Sequence, residues 1–338
     1  MTKVLVSGYI GFNNFGDEAI FKVLSNHLKT LGFDVSVLCN NKKLVRKTYN
    51  VKTYNYKKPL QIIKAILSCD ILISGGGSLL QNKTSNKSLV YYLLIIFLSK
   101  LFLKKVLIFA QGIEPVNGAF FEFLLKTILK RADYICVRDQ KSVDYLNKLK
   151  INSTLNSDPV YSLVESVDIE KEKTGLVVQL RDSKNLSQDF LDNLALSISR
   201  YYRKKVSVFC FEKEIDEKVC LEFVSKLKKH NIDCQYLSDK SILETIEVIN
   251  KAEFLIGMRL HSLICAVSLK TKPLGIIYDE KIKTLACELN LEAIDLVNYS
   301  NLDSKISDFF NNHSNKTLAP RSFNWECIDS FFKEKKLC

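Results

Sequence analysis

Gly257-Met258-Arg259-Leu260-His261-Ser262 follows the apolar run Glu253-Phe254-Leu255-Ile256 and precedes the small and aliphatic segment 263–268. The first run predicts a strand and the second a helix. Arg259 and His261 therefore sit where a strand ends and a helix begins. In an open α/β sheet that is the carboxyl edge, where ligands bind. The helix start adds unpaired backbone N–H groups and the positive end of a dipole, both suited to an anion. A permanent cation and an imidazole two residues apart fit phosphate or carboxylate binding with proton transfer. One strand further on, Pro273-Leu274-Gly275-Ile276-Ile277 runs into Tyr278-Asp279-Glu280-Lys281, which brings Lys281 to the same edge. The plain alternative is an arginine that only caps or pairs, because Arg-x-His alone is a common sequence.

The same alternation extends through the second half. Apolar runs at 175–180, 206–211 and 233–237 read as strands, separated by helical periodicity near 186–200, 214–229, 242–250 and 281–289. The first half repeats it. A strand at 3–7 leads into Gly8-Tyr9-Ile10-Gly11-Phe12-Asn13-Asn14-Phe15-Gly16-Asp17-Glu18, then a helix to Leu31 and a strand at 34–38. The glycine spacing is wrong for a dinucleotide fingerprint. Asp17 and Glu18 read as a helix cap and dipole partners, or else the loop from Asn13 to Glu18 grips a polar substrate such as a sugar. The strand at 70–74 ends in Gly75-Gly76-Gly77-Ser78, which implies close backbone approach to a ligand or a helix. Strands at 106–110 and 133–137 end in Gln111-Gly112-Ile113-Glu114-Pro115 and in Arg138-Asp139. Residues 152–172, with the turn signal Ser157-Asp158-Pro159, form the expected hinge. The expected architecture is α/β: two Rossmann-like domains, 1–160 and 174–322, with a cleft between them. A helix within 323–338 is expected to pack back across the domains.

With 338 residues the chain is long enough for two cores. The net charge of +12 favours acidic partners: phosphorylated metabolites, anionic membrane surfaces or nucleic acid. Zinc-finger, RNA-recognition and arginine-rich patterns are missing, so nucleic acid is not expected. The ten cysteines include no Cys-x-x-Cys pair, and Cys39, Cys69, Cys136 and Cys265 lie in or beside apolar runs. That points to a reducing cytoplasm, with neither disulfides nor a metal site. The stretch 89–103 is almost wholly apolar, but Lys100, Lys104 and Lys105 cut it below the roughly 20 residues that span a bilayer. It reads as a buried core helix, or as one touching the inner face of the plasma membrane with its lysines at the headgroups.

Taken in order, Gly8 to Ile20, Ser74 to Gln81, Gln111 to Pro115, Val137-Arg138-Asp139 with Ser142, Asp158-Pro159 and Arg259-Leu260-His261-Ser262 resemble the polysaccharide pyruvyl transferase family, in its bacterial cell-wall polymer branch. The resemblance covers about residues 3–290. It implies a fold like that of GT-B glycosyltransferases. It also implies transfer of pyruvate from phosphoenolpyruvate onto two hydroxyls of a sugar or lipid-linked oligosaccharide, giving a cyclic ketal and phosphate, with no cofactor and no metal. The family's donor site matches Arg138, Arg259, Leu260, His261 and Lys281. His261 is implied as the acid that protonates the enol carbon or as a ligand of the phosphate. The acceptor falls to Asn14, Asp17, Gly76, Gly77 and Gln111. Glu280 stands where the family pattern has Pro, and Glu114 where it has Gly. Two other readings remain: a GT-B glycosyltransferase using Glu280 and Glu288 on a nucleotide-sugar donor, and a non-catalytic glycan-binding protein of the same fold.

Overall fold

The computed structural model describes residues 1–238, 240–312 and 321–334. Residues from Lys335 onward, part of the expected last helix, lie outside it. The chain forms two compact units, Met1–Ser162 with Ser322–Cys338, and Leu163–Arg321. The change of unit falls inside the expected hinge, which contains a short strand and a helix.

The first unit contains strands β1 (Lys3–Ser7), β2 (Asp34–Cys39), β3 (Lys52–Asn55), β4 (Ile71–Ser74), β5 (Lys105–Gln111), β6 (Tyr134–Val137) and β7 (Thr154–Leu155). Its helices are α1 (Phe15–Thr30), α2 (Lys42–Tyr49), α3 (Pro59–Leu67), α4 (Asn86–Leu101), α5 (Ala119–Leu129) and α6 (Gln140–Lys148), and α7 (Val160–Glu165) spans the unit boundary. The strand order is β3-β2-β1-β4-β5-β6-β7, and every pairing is parallel. Order therefore reverses between β1 and β4, which opens a crevice at their carboxyl ends.

The second unit repeats the plan with β8 (Leu176–Leu180), β9 (Val206–Cys210), β10 (Cys234–Leu237), β11 (Phe254–Gly257), β12 (Lys272–Ile277) and β13 (Ala293–Asp295). Helices α8 (Gln188–Tyr201), α9 (Lys213–Lys229), α10 (Ile242–Lys251), α11 (Leu260–Ser268), α12 (Glu280–Leu289) and α13 (Leu302–Asn311) connect and cover them. Its order is β10-β9-β8-β11-β12-β13, again all parallel, with the reversal between β8 and β11.

Each sheet is covered by apolar helix faces, as parallel strands require. In the first unit Leu5, Leu72, Val106 and Ile108 pack on Ile66, Leu93, Ile96 and Leu125. In the second, Leu176, Val178, Ile256 and Leu274 pack on Leu194, Ile198, Phe223 and Phe309. The last helix, α14 (Glu326–Glu334), belongs to the first unit. Phe332 packs edge-on against Phe33, Trp325 stacks on His27 at 3.8 Å, and His27 Nε2 lies 2.7 Å from Asp329 Oδ1. Cys39, Cys69, Cys136 and Cys265 are buried and stand outside any disulfide.

Helix α4 is buried on one face only. Leu89, Tyr92, Leu93, Ile95 and Ile96 are in the core, whereas Val90, Leu94, Phe97 and Leu101 face outward. No described helix is long and apolar enough to cross a membrane.

Candidate active site

In the first unit the carboxyl edge is built around backbone approach. Asn14, not Asp17 or Glu18, caps α1: its side chain accepts from Gly16 N at 3.1 Å and Asp17 N at 3.4 Å. The reading of Asp17 as the cap is corrected by three positions, because the helix begins at Phe15, whereas Asp17 and Glu18 do lie in its first turn, at the positive end of the dipole. Glu18 instead turns back under its own loop and accepts from Gly11 N (2.6 Å) and Tyr49 Oη (2.5 Å). Burial pushes its carboxyl above the ordinary value, against the pull of these donors. Asp17 is half-buried and lies over Gly77. A Cβ on Gly77 would fall 2.6 Å from Asp17 Oδ1, and Gly77 holds φ +91°. That position needs glycine on both counts. Gly77 pairs with Gln111, and its carbonyl accepts from Gly112 N at 2.8 Å.

Gln111 is fully buried. Its Nε2 donates to Ser74 Oγ at 2.8 Å, which ties the ends of β4 and β5 together. Gly76 and Gly77 are buried too. Of the five predicted acceptor residues, only Asn14 and Asp17 offer exposed side-chain surface; the other three shape the floor beneath them.

Arg138 explains why so many scattered motifs occur together. It follows β6 directly, is 8% exposed, and pairs through Nη1 with Asp158 Oδ2 at 2.8 Å. Nη2 donates to Ser78 Oγ at 3.2 Å, and the guanidinium lies against Gly112. Asp139 caps α6 and also accepts from Ser142 Oγ, which itself accepts from Ile113 N at 2.8 Å. The glycine-rich loop, the Gln-Gly-Ile segment, the Arg-Asp pair and Asp158 are thus one network about a buried cation. It belongs to the first unit, whereas Arg259, Leu260, His261 and Lys281 belong to the second. Glu114, in place of Gly, forms an ion pair with Lys83.

In the second unit, β8 and β11 end side by side at the strand-order reversal. Arg259 is the N-cap of α11, and Leu260 and His261, both half-buried, occupy its first turn. Gln179 of β8 accepts from Arg259 N at 2.7 Å and from Ser262 Oγ at 3.3 Å, so it fixes the strand-to-helix turn. Gly257 makes room for Ser262, whose Oγ would lie 2.6 Å from a Cβ there. Lys281 is in the first turn of α12, at the end of the adjacent strand β12. Glu280 opens that helix, a position that suits Pro or an acid equally.

The guanidinium of Arg259 is not an open cation. Its Nη2 donates to Asp216 Oδ2 at 2.6 Å and to Glu212 Oε2 at 3.2 Å, and all three residues are buried. Burial works to lower the arginine's pKa, but Asp216 and Glu212 hold it above the usual value. Burial likewise raises the Asp216 carboxyl, with Arg259 opposing. Arg259 Nε is buried and has no hydrogen-bond partner among the described residues. Beside it, Arg181 at the end of β8 donates to Tyr278 Oη at 2.7 Å and lies over that ring at 5.0 Å. Burial pushes the Tyr278 hydroxyl up to about 12, so it stays protonated.

Sequence reasoning missed Gln179, Arg181, Glu212, Asp216 and Tyr278. Arg181 carried a usable signal: it follows the mostly apolar run 176–180, as Arg259 follows 254–258. Glu212 and Asp216 are four apart at a helix start, a spacing that puts them on one face but does not say what they meet. Glu288, half of the nucleotide-sugar alternative, is paired with Arg321 at 3.3 Å.

This fold is that of the GT-B class. The structure superposes on S. aureus MnaA bound to UDP with a TM-score of 0.71 at 11% identity, covering 100% of this chain and 98% of that one. A putative UDP-N-acetylglucosamine 2-epimerase from Listeria monocytogenes gives 0.70 at 12% identity, with 98% and 97% covered. A glycosyltransferase from Rickettsia africae gives 0.60 at 12%, with 91% and 88% covered. At such identities the likeness is one of fold. No curated protein sequence matches the chain. The polysaccharide pyruvyl transferase family matches residues 14–280, and the chain belongs to that family. Fold and family together make it a polysaccharide-modifying transferase.

Proposed function

We propose that the protein transfers pyruvate from phosphoenolpyruvate to two hydroxyls of one sugar in a cell-wall or exopolysaccharide precursor, without a cofactor or metal. The methylene carbon takes a proton, and the first hydroxyl attacks the adjacent carbon. Phosphate then leaves and the second hydroxyl closes the ketal. One hydroxyl proton is balanced by the new methyl group, the other by the phosphate released. His261, half-buried in the first turn of α11, is the acid proposed for the methylene carbon, or the ligand of the phosphate.

The observation that carries this reading is Arg259. Its Nε–H is a buried donor without a partner, at a strand-order reversal and beside a second arginine, Arg181. An anionic ligand would satisfy it. Glu212 and Asp216 hold the fork in place and leave that donor over. On the first unit, Asn14 and Asp17 are the proposed acceptor contacts, and Tyr9 stacked on Phe12 at 4.0 Å offers an aromatic surface to the apolar side of a sugar.

Calorimetry with phosphoenolpyruvate and, separately, with UDP-sugars in the presence of chelator tests the donor. Binding of phosphoenolpyruvate alone supports the proposal. Binding of UDP-sugars alone transfers it to the nucleotide-sugar alternative. Mass spectrometry of the cell-wall glycan with and without the protein then tests for a ketal.

A further inference from the structure

The first unit carries an apolar surface that the chemistry above does not use. Helices α3, α4 and α5 cover the same side of the first sheet and share one core. Helices α4 and α5 pack on each other, and Lys104 Nζ donates to Leu67 O at the end of α3 at 3.2 Å. Of the twenty large apolar side chains exposed among the described residues, eleven fall between Leu60 and Phe123. Leu60, Leu67, Leu101, Leu103, Phe120 and Phe123 are each more than half exposed. Apolar residues scattered singly need no explanation, but a concentration on three neighbouring helices does.

Leu103 adds an independent observation. It follows α4 in the left-handed conformation, at φ +57°, and is 90% exposed. The corresponding left-handed residues that end or follow α2, α6, α9, α11 and α12 are Asn50, Lys150, Asn231, Lys270 and Asn290. Each of those is polar. At α4 alone among these ends, an apolar side chain is held in a conformation that disfavours it and is directed into solvent.

The charge around the surface selects the partner. Residues 57–131 contain eleven Lys and Arg against three Asp and Glu. Lys100 and Lys105 are taken up by Asp133, but Lys58, Lys64, Lys87 and Lys130 are exposed. Two copies meeting on this face would bring like charges together. An anionic bilayer accepts both features. We propose that the α3–α5 surface docks on anionic lipid, with its leucines and phenylalanines at the acyl boundary and its lysines among the phosphates. The proposal is independent of the donor and of the reaction.

The test is flotation of the full chain with phosphatidylcholine vesicles containing or lacking phosphatidylglycerol, at low and high salt. Wild type should float with the anionic vesicles, at least tenfold more at low salt than with the neutral ones. Leu103→Asp with Phe120→Asp should reduce that at least tenfold without lowering the thermal midpoint. Leu103→Asn should raise the midpoint, by relieving the left-handed leucine, and still weaken flotation. No flotation at low salt overturns the proposal, as does equal flotation of the double variant. A stable dimer in sedimentation equilibrium, dissociated by the same substitutions, overturns it in favour of a second copy.

Discussion

Arg259→Lys keeps the charge and removes the fork, and its effect can be worked from the contacts. Arg259 is 8% exposed and one guanidinium nitrogen serves two buried carboxylates, at 2.6 Å and 3.2 Å. An ammonium on a shorter, unbranched head reaches one of them in good geometry. One charge-assisted hydrogen bond is lost, worth about 1.5–3 kcal/mol. With a urea slope of about 2 kcal/mol/M, the midpoint of the second unit should fall by about 1 M. The Nε donor disappears as well. If it holds the donor, phosphoenolpyruvate affinity should fall by a further ~10–150-fold. Trp325, the single tryptophan, lies in the first unit, so its fluorescence midpoint should not move while the far-UV transition does. Calorimetry on the same preparation measures affinity. Asp216→Asn is the companion variant: it weakens the buried pair but leaves Nε–H in place, so stability should fall with affinity much less affected. A loss of stability in Arg259→Lys with unchanged affinity would refute the assignment and leave Arg259 as the counter-ion of Glu212 and Asp216. If neither quantity changed, the buried network itself would carry no weight.

His261→Gln should lower turnover about a hundredfold or more while leaving phosphoenolpyruvate affinity largely intact; affinity falling in proportion would make His261 a phosphate ligand instead. Asp158→Ala strands a buried Arg138, so the Trp325 transition should lose about 3–5 kcal/mol in urea. An unchanged transition would show that Ser78 and Asp139 suffice. Glu18 has a folded-state pKa raised by burial, so its ionised form is penalised in the native state. Stability from this group is therefore lowest at neutral pH and rises as pH falls through the folded value toward the ordinary 4.5. The stability of wild type relative to Glu18→Gln should increase between pH 7 and 4.5 in paired urea titrations, and a decrease would show that the loop donors outweigh burial.

Much of the framework is local and so was legible. Strands show as short apolar runs and helices as 3.6-residue periodicity, and α10 and α12 fall within one residue of the expected 242–250 and 281–289 at each end. Because the carboxyl end of a strand is a position along the chain, Arg138, Arg259 and Lys281 could be placed on sheet edges before any packing was known. The weaker strands β3, β7 and β13, of two to four residues, escaped because so few residues carry no periodicity.

What the tertiary structure decided was partnership. Nothing in the spacing of Glu212 and Asp216 says that α9 turns them onto an arginine more than forty residues away. Ser78, Gly112, Ser142 and Asp158 look like four separate motifs until strand order gathers them about Arg138. Gln111 reads as a polar loop residue, yet the pairing of β4 with β5 buries it under the glycine loop. The apolar run 89–103 has the composition of a core helix on all sides, and only packing shows which side the sheet covers. Side-chain alternation and helical period are properties of neighbouring residues, fixed by backbone geometry. Which buried charge meets which depends on crossover connections and helix rotation, and these are set by the packing of the whole unit.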